Sequence, residues 1–174
     1  NFRSYFPLVF SLVKLFNIKL PVKIVEMENN SVKLKDLEIQ AMPMSHGIPA
    51  LAYAIEIKDA LRLNKAKIKK LNLPNSPLIA RLKDGKDIVI DGRKISSKKL
   101  TYIEKGKKVC IVLDTAKNKN AVRLAKSSDL LICESSFISD EKEKAEDYSH
   151  LTAKDAAEIG KEAKVKKLET LAGI

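Results

Sequence analysis

Tryptophan is absent from this chain of 174 residues, and aromatic residues make up only 5% of it. Any core must therefore be aliphatic. A hydrophobic fraction of 45% is enough for a sizeable core within about one domain. Histidine is almost as scarce, with His46 and His150 the only two. The two cysteines, Cys110 and Cys133, lie inside the apolar runs VCIVL and LLIC. They are not spaced as a metal knuckle, and they read as small buried hydrophobes of a reduced, cytoplasmic compartment. Long apolar runs are missing as well. Residues 6–16, FPLVFSLVKLF, are too short to span a membrane and are interrupted by Lys14. No small-residue cleavage site follows, so the stretch reads as a buried or interface helix rather than a secretory signal, and no membrane partner is implied. There is no internal repeat.

What is present in excess is positive charge. The chain has 33 Lys and Arg against 22 Asp and Glu, a formal net charge of +11 and a pI of about 9.6. That balance points to an anionic partner, with nucleic acid the first candidate. A Lys-rich habit of solubility or thermal adaptation accounts equally well for composition alone. The densest cluster is Lys65, Lys67, Lys69 and Lys70. Such a run is usually a solvated face, and here it is also a candidate phosphate contact.

The pattern of apolar residues predicts an α/β chain. Residues 7–17 have helical spacing, and residues 22–27 alternate as a half-buried strand does. Short strands follow at 32–34, 37–42 and 51–57. Residues 59–77 turn Lys-rich and helix-like up to the breaker PNSP, with a short helix expected at 76–82 and a strand at 88–90. KVCIVL and DLLIC are near-continuous apolar runs, the mark of strands buried on both faces. They flank a short helix at 120–126, which makes a β-α-β unit. Residues 139–147 are strongly charged, a solvated helix or loop. Thr152 and Asp155 form a capping box for a helix at 153–163, and a last strand is expected to start near Val165.

Three residues stand where α/β proteins place their chemistry. His46 lies in AMPMSHGIPALAY, between two strand patterns. Asp114 directly follows KVCIVL, and His150 directly precedes a helix. Each has a structural reading: His46 as a loop histidine, Asp114 as the cap of the next helix, His150 as a solvated neighbour of a cap. Together, a carboxylate and two imidazoles on such loops suit a divalent metal and a phosphate.

Five ordered blocks carry a more specific signal: MSHGIPALAYAIEI, LIARLKDGKDIVIDGRKISSKKL, VCIVLDTA, LLICESSF and YSHLTAKDAAEIGKEAKVKKL. In order and spacing they resemble ribonuclease Z, the tRNA 3′-end processing nuclease of the metallo-β-lactamase superfamily, and its archaeal branch most. The resemblance covers residues 10–168. It implies a four-layer αββα sandwich, a binuclear Zn2+ site and precursor tRNA as substrate. By the same resemblance His46 is a zinc ligand and Asp114 the carboxylate that bridges both metals. His150 then contacts the scissile phosphate and protonates the leaving oxygen.

The departures from the family pattern are equally specific. The H-x-H-x-D-H signature is missing, and the last zinc-binding histidine has no counterpart in KKLETLAGI. Of the family's metal ligands only His46 and Asp114 remain, and two ligands hold a catalytic zinc poorly. With no initial Met, the expectation is a single partial domain over residues 1–174, about the C-terminal half of the sandwich and inactive by itself. A truncated, a split and a degenerate protein all fit. The competing reading is a non-catalytic RNA-binding or dimerising remnant. Open sheet faces predict self-association, as a homodimer or larger.

Overall fold

A computed structural model describes residues 25–172 of the chain. Alternating residues set the centre of the fold. β1 (Ser31–Leu34), β2 (Leu37–Met44) and β3 (Ala50–Ile57) form an antiparallel meander in which Ala52 faces Met42 and Tyr53 faces Ala41. β2 runs two residues further than its pattern suggests, because β3 continues to pair with Pro43 and Met44.

The chain then leaves the sheet for residues 58–106. This excursion holds β4 (Ala60–Leu63), α1 (Lys65–Lys70), α2 (Pro77–Ala80), β5 (Ile88–Ile90), β6 (Arg93–Ile95), α3 (Ser97–Leu100) and β7 (Thr101–Glu104). Ala60–Leu63, expected as part of a helix-like run, is instead a strand paired with β7 across some forty residues. Asn64 then caps α1 and Ser76 caps α2, each through a side-chain oxygen. Ile79, Leu82, Ile88 and Leu100 are buried together, with Leu63, Ile68 and Ile95 packed against them, so the excursion has its own small core.

β8 (Lys107–Val112) returns antiparallel to β3. The β-α-β unit follows as α4 (Lys119–Ala125) and β9 (Leu130–Glu134), with β9 parallel to β8. α5 (Lys142–Asp147) and α6 (Ala153–Glu162) lead to β10 (Leu168–Leu171), parallel to β9. This last strand begins three residues beyond Val165, since residues 164–167 are used to turn back onto the sheet. The order of the six-stranded sheet is β1-β2-β3-β8-β9-β10. The capping box at the start of α6 is present: the Thr152 hydroxyl accepts the Asp155 N–H, and the Asp155 carboxylate accepts the Thr152 N–H.

α4 and α6 cover one face of this sheet. Ala52, Ala54, Cys110, Val112, Leu131 and Cys133 meet Ala121, Leu124, Ala156 and Ile159 in a fully aliphatic core. Burying one such leucine contributes roughly 1.5–3 kcal/mol. Both thiols lie in this core, and burial pushes each up to about 12, which leaves them unreactive. The opposite face presents Leu34, Tyr53, Ile57 and Leu171 exposed. The six-stranded sheet is thus covered by one helical layer, and β4 with β7 and β5 with β6 form two further two-stranded sheets in the excursion. No helix among the described residues is long and apolar enough to cross a membrane. The expected helix at 7–17 lies outside the described residues, as do 22–24 of the expected strand; Val25 to Met27 form no strand.

Asp129 pins the start of both parallel strands. It accepts the Lys108 N–H at 2.8 Å and the Lys166 ammonium at 2.7 Å. The Lys166 bond, then the Lys108 N–H, holds its carboxyl down to about 2 from the ordinary 3.8. The stability it contributes is therefore complete above about pH 4 and lost as the pH falls through about 2. In an acid titration of unfolding free energy, Asp129→Asn is expected to flatten the curve in that window. An unchanged slope there would rule out the ion pair as its source.

Candidate active site

The ends of four strands converge where the sequence placed its candidates. The β2–β3 loop carries His46, the β8–α4 loop carries Asp114, β9 ends in Glu134, and His150 stands just before α6. Two of these loops are stitched together. The Ser45 N–H donates to the Thr115 hydroxyl at 3.1 Å, and the Ala116 N–H donates to the Ser45 carbonyl at 2.7 Å. Asn118 serves both sides. Its side-chain carbonyl accepts the Asn120 and Ala121 N–H groups and so caps α4, while its amide donates to the Thr115 hydroxyl at 2.8 Å. Asn118 is thus the cap of α4, and Asp114 is left free of that structural duty. Asp114 sits at a φ of 46°, a left-handed conformation that Asp tolerates better than most residues. Its carboxylate makes no hydrogen bond or ion pair among the described residues.

Glu134 follows the apolar run LLIC at a strand end that suits a ligand or catalyst, but the sequence assigned it no role. It is 4% exposed, and such a carboxylate must be well hydrogen-bonded. The Thr115 N–H reaches its Oε1 at 2.6 Å, the Ser136 hydroxyl reaches its Oε2 at 2.6 Å, and His150 Nδ1 lies 3.0 and 2.9 Å from the two oxygens. A signal was available: a carboxylate ending a near-continuous apolar run needs partners, and the adjoining loops had to supply them.

The partners settle the tautomers of both imidazoles. His46 Nδ1 lies 3.1 Å from the Ser149 carbonyl oxygen, which can only accept, so Nδ1 carries the proton and Nε2 is the free nitrogen. His150 likewise donates from Nδ1 to the Glu134 carboxylate and presents Nε2. The two rings meet edge to face with centroids 4.8 Å apart. Ligand atoms of Asp114, Glu134 and His150 all fall within 4.8 Å of one another, a donor set of carboxylates and imidazole suited to a divalent cation. Glu134 is already engaged by three donors and orients His150 from behind, so the Asp114 carboxylate and, outside that donor group, His46 Nε2 are the groups left open to a metal.

The lysines of α1 belong to an excursion whose two ends lie away from this site. Lys65, Lys67, Lys69 and Lys70 are all exposed, with Ile68 turned to the small core. The excursion leaves β3 and rejoins β8 at the end of the sheet opposite to His46 and Asp114, roughly 20 Å away along a six-residue strand. Residues 58–106 hold 14 of the 33 basic residues and 5 of the 22 acidic ones, so they carry +9 of the chain's +11.

Comparison with known proteins bears on the chain as a whole. The chain is 34% identical to the ribonuclease Z of Nanoarchaeum equitans over 152 residues, 87% of this chain and 48% of that protein. It is 37% identical to the ribonuclease Z of Enterococcus faecalis over 156 residues, 87% of this chain and 50% of that protein. The metallo-β-lactamase fold protein YhfI from Bacillus subtilis superposes with a TM-score of 0.52 at 16% identity, over 93% of this chain and 49% of that one. No family profile matches the chain. A mixed sheet with helices on one face, and carboxylates and imidazoles gathered at its strand ends, is here a metallo-β-lactamase fold. The chain spans about half the length of the curated relatives it matches. Within that class, and across most of its own residues, it is a homologue of ribonuclease Z.

Proposed function

We propose that the chain takes part in metal-dependent removal of the 3′ trailer from precursor tRNA. The observation that carries this reading is the buried Glu134–His150 pair, set beside Asp114 and His46 at one end of the sheet. Asp114 and His46 would hold the metal, with Zn2+ the first candidate. When bound, a divalent cation supplies charge that offsets the charge developing on the scissile phosphate. The protein's own part is proton transfer. Glu134 fixes the orientation of the His150 ring through Nδ1. As a water oxygen bonds to phosphorus and the phosphorus–O3′ bond breaks, a His150 ring protonated on both nitrogens would give its Nε2 proton to the departing O3′, while the attacking water loses its proton to solvent.

The net charge of +9 on residues 58–106 supports a polyanionic partner, gripped away from the reacting phosphate. The two buried thiols support a reducing, cytoplasmic setting. Self-association, as a homodimer or larger, is supported by the exposed apolar residues Leu34, Tyr53, Ile57 and Leu171 on the uncovered sheet face. The limited ligand set favours a second reading, an RNA-binding protein without cleavage.

One experiment separates them: elemental analysis of zinc per chain, with precursor tRNA binding and 3′ cleavage followed on the same preparation. The expected result is bound zinc that Asp114→Asn abolishes, with tRNA affinity falling steeply as salt rises. A folded chain that binds tRNA but neither holds zinc nor cleaves would leave only the second reading. Affinity that is flat with salt would sink both.

A further inference from the structure

Three large side chains close to His150 in sequence are not explained by folding. Tyr148 is 63% exposed and Ile138 64% exposed, and neither belongs to the core under the sheet or to that of the excursion. Phe137 joins them. Its ring lies 6.2 Å from the Tyr148 ring with the planes 27° apart, and 6.2 Å from the His150 ring. The Lys144 ammonium stands 5.3 Å from the centre of the same Phe137 ring. Single exposed apolar residues are ordinary. Here two of them and a half-buried phenylalanine gather within a dozen residues of sequence, next to the imidazole assigned the leaving oxygen, in a chain that is 5% aromatic.

The backbone holds this group firmly in place. Phe137 pairs with Thr152 in a short parallel bridge: its N–H donates to the Leu151 carbonyl at 3.2 Å, and its carbonyl accepts the Ala153 N–H at 2.9 Å. The Tyr148 N–H closes α5 onto the Lys144 carbonyl. The aromatic rings therefore keep a fixed relation to His150, and most of the Tyr148 ring remains open to solvent.

We infer that Tyr148 and Phe137 form a stacking platform for the unpaired nucleobase that flanks the phosphate at His150. This rests on the nuclease reading above and adds to it a base-holding surface distinct from the basic excursion. The occupant follows from the chemistry on the page. A flat apolar ring with an open face stacks on any base. Holding the base would fix the phosphate next to it in line with His150 Nε2.

The test uses the full chain and a 3′-extended tRNA bearing 2-aminopurine just 5′ or just 3′ of the junction, with EDTA present so that only binding is read. Stacking quenches the probe. The wild-type chain is expected to quench it at one of the two positions. Tyr148→Phe is expected to retain both quenching and affinity. Tyr148→Ala is expected to lose the quenching and to bind on the order of tenfold more weakly. An abasic nucleotide at the same position should bring the wild-type affinity down to that of Tyr148→Ala. Equal quenching and affinity for wild type and Tyr148→Ala would overturn the platform. So would a change of oligomeric state in Tyr148→Ala with RNA binding untouched, which would make the patch a protein contact. Salt-dependent tRNA binding without base dependence sinks the platform and leaves the nuclease reading standing. Absence of tRNA binding sinks both.

Discussion

Replacing Glu134 with alanine is expected to lower trailer removal by roughly 10²–10⁴-fold wherever the chain supports cleavage. The same substitution should cost about 1–3 kcal/mol of stability. Both effects come from the same three donors. Without the carboxylate, the Thr115 N–H faces a buried void with no acceptor, and the Ser136 hydroxyl loses its partner. His150 loses the group that holds its proton on Nδ1, so the ring is free to turn and to take the other tautomer. Glu134→Gln keeps the volume but aims an amide at donors, and it should recover stability without recovering rate. Nitrogen chemical shifts of the His150 ring separate the two roles, since a purely structural Glu134 would leave its tautomer unchanged. A Glu134→Ala protein with wild-type rate and a fixed Nδ1–H tautomer would end the proton-transfer reading.

Gly106→Ala is expected to be the most damaging single substitution for the fold, destabilising by about 3 kcal/mol or more. A Cβ at this position would lie 1.9 Å from the Ile57 carbonyl oxygen and 2.9 Å from the Lys58 carbonyl carbon. These are backbone atoms of the crossing strand, so no side chain can move aside to admit it. Gly106 is also where the excursion closes on itself. Its N–H donates to Asp59 Oδ1 at 2.8 Å, and the Lys105 ammonium reaches Asp59 Oδ2 at 2.7 Å. Moving the backbone to fit the methyl group breaks this clasp and disturbs the pairing of Ile57 with Lys107, the last rung between β3 and β8. Denaturant unfolding measures the loss directly. A change below about 0.5 kcal/mol would show that the neck is soft. Asp59→Asn, which keeps the close approach and weakens only the clasp, should do much less harm.

The elements most legible in the sequence are those whose causes are local. The capping box of Thr152 and Asp155 spans four residues and forms as expected. β2, β3, β8 and β9 appear where alternation or continuous apolar character puts them, because their burial leaves a period that can be read without knowing the partner strand. Ala60–Leu63 was read as helix-like because what makes it a strand is β7, some forty residues away. The role of Asp114 follows the same logic. By spacing alone it was an acceptable cap for α4. Only the three-dimensional path shows Asn118 in that place and the Asp114 carboxylate unengaged.

The sequence by itself determined an α/β chain with an aliphatic core, a strong positive excess, and His46, Asp114 and His150 at strand exits and before a helix. Its ordered blocks also carried the ribonuclease Z kinship that comparison bears out. The tertiary structure decided which groups work together. Parallel pairing of β8 with β9 sets Glu134 against the Thr115 N–H. The turn before α6 then lowers His150 onto the same carboxylate. Tertiary structure also set the two ends of the basic excursion away from the site, because a chain that leaves β3 must rejoin β8 at the far end of an antiparallel pair. Hydrogen-bond partners and distances between loops depend on strand register and crossover, and neither leaves a local period in the sequence to be read.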